Sequence, residues 1–168
     1  MTFGFAGLMM VFIAAALALR KPPNEASAGD IVVVGDSLGL GVGPAMRRRG
    51  MNPRIEAVSG TQARWWAEGT RWEKALEGAQ TAVVSLGSND IASNRPPWTT
   101  LQNLETRAKM LGVRVIWLVP NTPLWANQAV IIPGETLYLA GAEGSKDGVH
   151  LTIRGYDKAA ELVHQRLS

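Results

Sequence analysis

The sequence contains no cysteine, which excludes disulfide bonds and thiolate metal sites. Charge is also sparse: charged residues make up 18% of the chain, and the formal net charge is +3. The one basic run, residues 47–49, falls near the predicted end of a helix, where cations suit the helix dipole. No basic patch is interleaved with aromatic residues, so we expect no nucleic-acid partner. With 46% hydrophobic residues, the 168-residue chain predicts a folded domain.

An apolar run occupies residues 3–19 and ends at Arg20, Lys21 and two prolines. Because it is apolar on all sides, this run predicts a membrane-spanning helix rather than a helix of a soluble core. Residues 26–28, Ala-Ser-Ala, instead fit a signal-peptide cleavage site, but no basic residue precedes the run. We favour a retained anchor over a cleaved signal.

The expected localisation is therefore membrane-anchored or exported, and the sequence leaves the side of the membrane open. Residues 1–28 form the anchor or signal segment with its linker. Residues 29–168 form a single domain, long enough to bury one core.

Short apolar runs alternate with helical patterns beyond residue 29. The predicted strands are residues 31–34, 54–58, 81–85 and 113–119, with a short fifth candidate at 137–139. The predicted helices are residues 42–49, 62–76 with Gly69 as a candidate break, 99–111, and a final amphipathic helix from Thr152 with Tyr156, Ala160, Val163 and Leu167 on one face. No clear helix is predicted within residues 121–146. The alternation predicts an α/β fold whose parallel sheet is covered on both faces.

Small polar motifs follow three predicted strands, at residues 35–37, 59–60 and 87–90. The carboxyl ends of parallel strands share one edge of the sheet, which is where ligands bind. Ser37 is a candidate nucleophile there, provided that a base reaches it. Asp147 and His150, just before the last helix, supply that base. A tight turn lets the carboxylate orient one ring nitrogen while the other nitrogen faces Ser37.

Three groups at the same edge are candidate donors to an oxyanion: the backbone N–H groups of Ser37 and Gly60 and the side-chain amide of Asn89. Glycine at position 60 allows a close approach of backbone to substrate. We interpret the neighbouring acids, Asp36 and Asp90, as acceptors of loop backbone N–H groups rather than as catalytic groups.

The ordered motifs resemble the GDSL or SGNH hydrolase family. They are Gly-Asp-Ser-Leu at residues 35–38, Gly60, Gly-Ser-Asn-Asp at 87–90 and Asp-Gly-Val-His at 147–150. The resemblance implies a flavodoxin-like three-layer α/β/α sandwich with a central parallel sheet. It also implies ester hydrolysis by Ser37, His150 and Asp147, with the three oxyanion donors named above. We expect no cofactor and no metal, because too few ligating side chains surround this His–Asp pair.

Three tryptophans, Trp65, Trp66 and Trp72, follow Gly60. Core packing is the simpler interpretation. If the stretch is helical, Trp65 and Trp72 share a face and Trp66 does not, so one ring would be exposed near the active edge. We therefore name Trp66 as a candidate substrate-binding residue that stacks on a sugar or acyl group.

The expected function is a serine ester hydrolase that cleaves acyl or acetyl esters, with carbohydrate or cell-wall deacetylation favoured. Lipid or thioester hydrolysis and acyl transfer by the same fold are alternatives. A catalytically weak glycan-binding module is a further alternative from a different class.

Overall fold

The computed structural model describes residues 30–126, residue 132 and residues 134–168. The predicted anchor at residues 3–19 and the cleavage-like residues 26–28 lie outside these described residues. Among the helices of the described ranges, none combines the length and the apolar character that a membrane crossing requires.

Five strands of the described residues form one sheet. They are β1 (Ile31–Gly35), β2 (Arg54–Ala57), β3 (Thr81–Ser85), β4 (Arg114–Pro120) and β5 (Glu135–Leu139). Their spatial order is β2-β1-β3-β4-β5, and every neighbouring pair is parallel. This order is the flavodoxin-like one, and it places a topological switch point between β1 and β3. The predicted fold class is confirmed.

Seven helices connect or follow these strands within the described residues. They are α1 (Ser37–Arg48), α2 (Ala63–Ala67), α3 (Arg71–Leu76), α4 (Ser88–Ala92), α5 (Trp98–Met110), α6 (Pro123–Ala126) and α7 (Ile153–Leu167). Helices α1 and α7 cover one face of the sheet, and α2, α3 and α5 cover the other. In β1, Val33 packs toward the first face, while Val32 and Val34 pack toward the second. Burial on both faces explains why this strand is a continuous apolar run.

Helix α1 begins at Ser37, five residues before the predicted start at Val42. Asp36 caps it by accepting a hydrogen bond from the Leu38 backbone N–H at 3.0 Å. The glycines that weaken its helical pattern serve packing: Gly41 lies against the ring of Tyr156, with no room for a side chain. Tertiary packing therefore overrides the low helix propensity of glycine in this segment.

The other boundaries agree more closely with the sequence pattern. The predicted helix 62–76 breaks at Gly69, which has a φ of 59° and separates α2 from α3. The fifth strand is present as β5, parallel to β4. Two short helices were not predicted, α4 and the single turn α6, so the expectation of no helix within residues 121–146 is wrong for that turn. In α7, Thr152 is the N-cap and accepts from the Gly155 N–H at 3.1 Å.

Candidate active site

Hydrogen bonds just beyond the strands hold three strand ends together. The Asp36 N–H donates to the Ser85 carbonyl at 3.1 Å, and the Val58 N–H donates to the Gly35 carbonyl at 2.9 Å. The segments that follow β1, β2 and β3 therefore start from one edge of the sheet. This is the edge at which the sequence predicted a site.

His150 joins two of the predicted residues through opposite ring nitrogens. Its Nε2 lies 2.8 Å from Ser37 Oγ, and its Nδ1 lies 2.7 Å from Asp147 Oδ2. A hydrogen on Nδ1 donates to the carboxylate and leaves Nε2 free to accept from the Ser37 hydroxyl. The predicted juxtaposition of Ser37, His150 and Asp147 is present.

The Asp147 carboxylate is fixed by a tight turn. Its Oδ1 accepts hydrogen bonds from the Val149 and His150 backbone N–H groups, each at 2.9 Å. The His150 side chain, followed by these two N–H groups, lowers the pKa of Asp147 from 3.8 to about 2. The carboxylate is therefore ionised at neutral pH. Its side chain is 48% exposed and that of His150 is 40% exposed, so the pair is open to solvent.

The segment that carries this pair is tied to the start of α7. The Ser145 N–H donates to the His150 carbonyl at 2.8 Å, and the Thr152 N–H donates to the Glu143 carbonyl at 2.9 Å. Gly144 and Leu151 form an antiparallel bridge between these bonds. His150 is thus placed by backbone pairing as well as by the turn.

The predicted oxyanion donors differ in what they contact. Neither the Ser37 nor the Gly60 backbone N–H donates to another residue in the described part of the chain. The Asn89 side-chain amide, in contrast, donates to Asp36 Oδ2 at 3.1 Å and to the Thr61 carbonyl at 3.0 Å. Gly60 has a φ of 77°, a left-handed conformation that favours glycine. The two backbone donors are open, and the side-chain amide already has two acceptors.

The two neighbouring acids accept backbone hydrogen bonds, as predicted. Asp90 accepts from the Ala63 N–H at 2.9 Å at the start of α2, and burial raises the pKa of Asp90. Asp36 accepts from the Leu38 N–H, and burial, only partly offset by its hydrogen bonds, raises its pKa from 3.8 to about 6. Sequence reasoning missed the further contacts of Asp36 with Ser85 and Asn89.

Trp66 is buried, with 4% of its surface exposed. Its Nε1 donates to Thr61 Oγ1 at 3.1 Å, and its ring packs edge-on against Trp65 at a centroid distance of 4.9 Å. Trp72 is fully buried and stacks on Trp117. The core interpretation is confirmed for Trp66 and Trp72, and the burial of Trp66 argues against its predicted contact with substrate.

The acidic and histidine side chains near the site do not form a metal-binding cluster in the part of the chain that the structure describes. Within residues 30–126, 132 and 134–168, no group of three or more His, Asp or Glu side chains is arranged to hold a metal ion. His164, the second histidine, is exposed on α7, as predicted. Both ring nitrogens of His150 are within hydrogen-bond distance of Ser37 and Asp147.

Comparison with known proteins identifies the fold. No family model matches the chain, and no curated protein matches it by sequence. A GDSL-like lipase from Bacteroides thetaiotaomicron is 18% identical, with a TM-score of 0.65 over 94% of this chain and 96% of that one. A variant of an acetyl xylan esterase from Geobacillus stearothermophilus is 16% identical, with a TM-score of 0.59 over 84% of this chain and 95% of the esterase chain. LAE5, an alpha/beta hydrolase from the metagenome of Lake Arreo, is 16% identical, with a TM-score of 0.65 over 87% and 98%. The chain has the SGNH hydrolase fold.

Proposed function

We propose that this protein is a carboxylic ester hydrolase in which Ser37 is the nucleophile, His150 the general base and Asp147 the residue that orients His150. One observation carries the proposal: the two nitrogens of the His150 ring lie 2.8 Å from Ser37 Oγ and 2.7 Å from Asp147 Oδ2. A serine hydroxyl is a weak nucleophile unless a neutral imidazole takes its proton, and this geometry supplies one.

Acylation follows from these contacts. Ser37 Oγ attacks the ester carbonyl carbon while its proton moves to His150 Nε2, and the carbonyl oxygen becomes an oxyanion. The imidazolium is stabilised by Asp147, which stays ionised because its pKa is held at about 2. The bond to the alcohol oxygen then breaks, and His150 returns the proton to that oxygen. An alcohol leaves, and the acyl group remains on Ser37.

Deacylation repeats the same steps with water. His150 Nε2 removes a proton from a water molecule, whose oxygen attacks the acyl carbon. The bond to Ser37 Oγ breaks, the serine regains its proton from His150, and a carboxylic acid is released. The open Ser37 and Gly60 N–H groups support stabilisation of the oxyanion in both steps. Asn89 becomes the third donor when one of its two N–H groups turns from its present acceptor, Asp36 or the Thr61 carbonyl, to the oxyanion.

The substrate in this proposal is an acyl or acetyl ester. We favour an ester on a carbohydrate or cell-wall polymer, in line with the sequence-based preference and with an acetyl xylan esterase among the proteins of similar fold. A GDSL-like lipase of the same fold makes lipid esters the first alternative.

We also propose that residues 3–19 anchor or export the protein, on the strength of their sequence alone. Membrane fractionation of the expressed full chain tests this. Mass spectrometry of its N-terminus then separates a retained anchor from a segment cleaved after residue 28.

The activity is tested with the full chain, p-nitrophenyl acetate and an acetylated xylo-oligosaccharide. We expect turnover that Ser37→Ala lowers by several orders of magnitude, and labelling of Ser37 by a fluorophosphonate, located by peptide mass. Ser93→Ala is the matched control, because Ser93 is exposed and its hydroxyl accepts a hydrogen bond from the Gln62 side chain rather than from the proposed catalytic residues. Glycan binding without turnover of any ester would instead support the binding-module alternative.

A further inference from the structure

Asp36 is a buried carboxylate that the proposed reaction does not use. It is 1% exposed, although it directly precedes Ser37. Its Oδ1 accepts hydrogen bonds from the Leu38 N–H at 3.0 Å and the Ser85 hydroxyl at 3.1 Å, and its Oδ2 accepts one from Asn89 Nδ2 at 3.1 Å. One carboxylate therefore joins the first turn of α1, the end of β3 and the first turn of α4.

The Asn89 amide can face the site in two ways. Its oxygen and nitrogen exchange places when the side chain turns over, with little change in shape. Asp36 Oδ2 and the Thr61 carbonyl oxygen are both acceptors, and both lie within 3.1 Å of Nδ2. Turning the amide over would place its oxygen against two other oxygens. These two acceptors therefore select the orientation in which Asn89 presents N–H groups.

The hydrogen bonds of Asn89 also connect the segments that carry the Ser37 and Gly60 N–H groups. Thr61 belongs to the turn that contains Gly60, where its N–H and its hydroxyl donate to the Val58 carbonyl at 3.3 Å and 2.8 Å. The Asn89 amide thus links this turn to Asp36, and Asp36 caps the helix that begins with the Ser37 N–H. A hydrophobic residue at position 36 could neither cap the helix nor accept a hydrogen bond from the Asn89 amide.

We propose that Asp36 is a positioning residue. Its carboxylate accepts one N–H of the Asn89 amide, whose other N–H holds the turn that contains Gly60, and this link fixes the oxyanion donors in place for the transition state. This inference rests on the proposed ester hydrolysis. Burying a carboxylate lowers the stability of the fold unless its hydrogen bonds compensate. A functional role explains Asp36 better than a contribution to stability does. Preorganised donors act where charge develops, so the effect of Asp36 belongs in kcat rather than in KM.

Asp36→Asn is the informative variant because it keeps the shape and reverses one hydrogen bond. The new amide still offers an oxygen to Leu38 and Ser85, but it presents an NH2 group to Asn89, which is itself a donor there. With the full chain and p-nitrophenyl acetate, we expect kcat to fall by about tenfold or more while KM stays within about twofold. Ser85→Ala is the matched control, since it removes one hydrogen bond from the same carboxylate and leaves both acceptors of Asn89; its kcat should stay near that of the wild type.

A double-mutant cycle tests whether Asp36 acts through Asn89. Asn89→Ala alone should lower kcat by about 10²–10³, the usual cost of losing one oxyanion donor. Adding Asp36→Asn to Asn89→Ala should then lower kcat by less than about threefold more, because the amide to be positioned is gone. Multiplicative losses, or a wild-type kcat in Asp36→Asn, would overturn the inference.

A measurement without turnover separates this inference from the proposed function. In the wild-type protein, the side-chain amide protons of Asn89 should exchange with solvent more slowly than those of a free asparagine, as seen by ¹H–¹⁵N NMR. They should shift and exchange faster in Asp36→Asn but not in Ser85→Ala. Rapid exchange in the wild type would overturn the inference even if esters are hydrolysed. Protected protons without any ester turnover would leave the positioning intact and reject the proposed function.

Discussion

Gly155 in α7 lies directly against the backbone carbonyl of Glu143, with no room for a side chain between them. The same carbonyl accepts the Thr152 N–H at 2.9 Å, so this contact seats the segment that carries Asp147 and His150 onto the helix. A backbone atom cannot move aside as a flexible side chain does. The position of His150 therefore depends on the absence of a Cβ at residue 155.

Gly155→Ala tests this dependence. In a helix without such a contact, the substitution would stabilise by about 1 kcal/mol, because alanine has the higher helix propensity. Here the clash should dominate and lower the free energy of unfolding by about 1–3 kcal/mol. Urea denaturation measures the change, and esterase activity should fall with it. Gly144→Ala in the same segment is the control, because a Cβ there meets no atom closer than 4.0 Å. A Gly155→Ala protein as stable as the wild type would contradict this packing argument.

Asp147→Asn should lower kcat by about 10²–10⁴ with little change in KM, because the tautomer and orientation of His150 would be lost. The neighbouring Lys146→Ala is the control, since Lys146 is exposed and should leave kcat unchanged. Loss of binding without loss of kcat would make Asp147 a substrate-binding residue.

Asp147 should stay ionised through mildly acidic pH. The pKa of Asp147 is lowered to about 2, so its carboxylate contributes to stability above pH 3.8, and that contribution disappears only as pH falls toward 2. Urea denaturation of the wild type and of Asp147→Asn at several pH values measures this contribution. A contribution that disappears already between pH 6 and pH 4 would contradict the lowered pKa.

The raised pKa of Asp36 predicts the opposite effect of pH on stability from the lowered pKa of Asp147. Burial raises its pKa from 3.8 to about 6, so the folded state holds a proton that the unfolded state releases between these values. Ionisation of Asp36 therefore leaves the free energy of unfolding unchanged below pH 3.8 and lowers it by the full amount above pH 6. The stability of Asp36→Asn relative to the wild type should rise by about 2 kcal/mol between pH 4 and pH 7. Urea denaturation at both pH values measures this difference. A relative stability that does not change with pH would contradict the raised pKa.

Sequence patterns predict the strands and the meeting of Ser37 with His150 for a topological reason. Apolar runs that are buried on both faces can be read directly, and the carboxyl ends of parallel strands must share one edge. Residues that follow such strands therefore come together whatever their detailed contacts. The spacing of Asp147 and His150 is local, so their turn could also be predicted.

Features that depend on the direction of individual side chains could not be predicted from sequence patterns. The first turn of α1 was missed because Gly39 and Gly41 weaken the helical pattern, whereas packing against Tyr156 requires a small residue. Trp66 and Trp72 lie on separate helices on either side of Gly69, so both are buried although they would not share a face of one continuous helix. The link between Asp36 and Asn89 joins residues far apart in the chain, and no local pattern encodes it.

Two exposed apolar side chains follow the proposed catalytic pair by three residues each in the sequence: Leu40 after Ser37 and Ile153 after His150. Contacts between α1 and α7 run in the same direction along both helices, from Gly41 against Tyr156 to Arg49 with Glu161. One turn before Tyr156 is Ile153, which is 77% exposed, and Leu40, next to Gly41, is 42% exposed. The parallel course of α1 and α7 therefore places both residues toward the N-terminal ends of these helices, the end at which Ser37 begins α1.

These side chains should raise kcat/KM for an ester with a longer acyl group and leave that for an acetate unchanged. Each CH2 group removed from water contributes about 0.8 kcal/mol, and a hexanoyl chain offers more such groups than an acetyl group does. In the double variant Leu40→Ser with Ile153→Ser, we expect kcat/KM for p-nitrophenyl hexanoate to fall by about three- to tenfold while that for the acetate stays unchanged. Met110→Ser is the matched control, because Met110 is 82% exposed at the far end of α5. Equal losses for both esters would show that the two residues support the fold rather than select the acyl chain, and no loss for either would show that the acyl chain leaves the site in another direction.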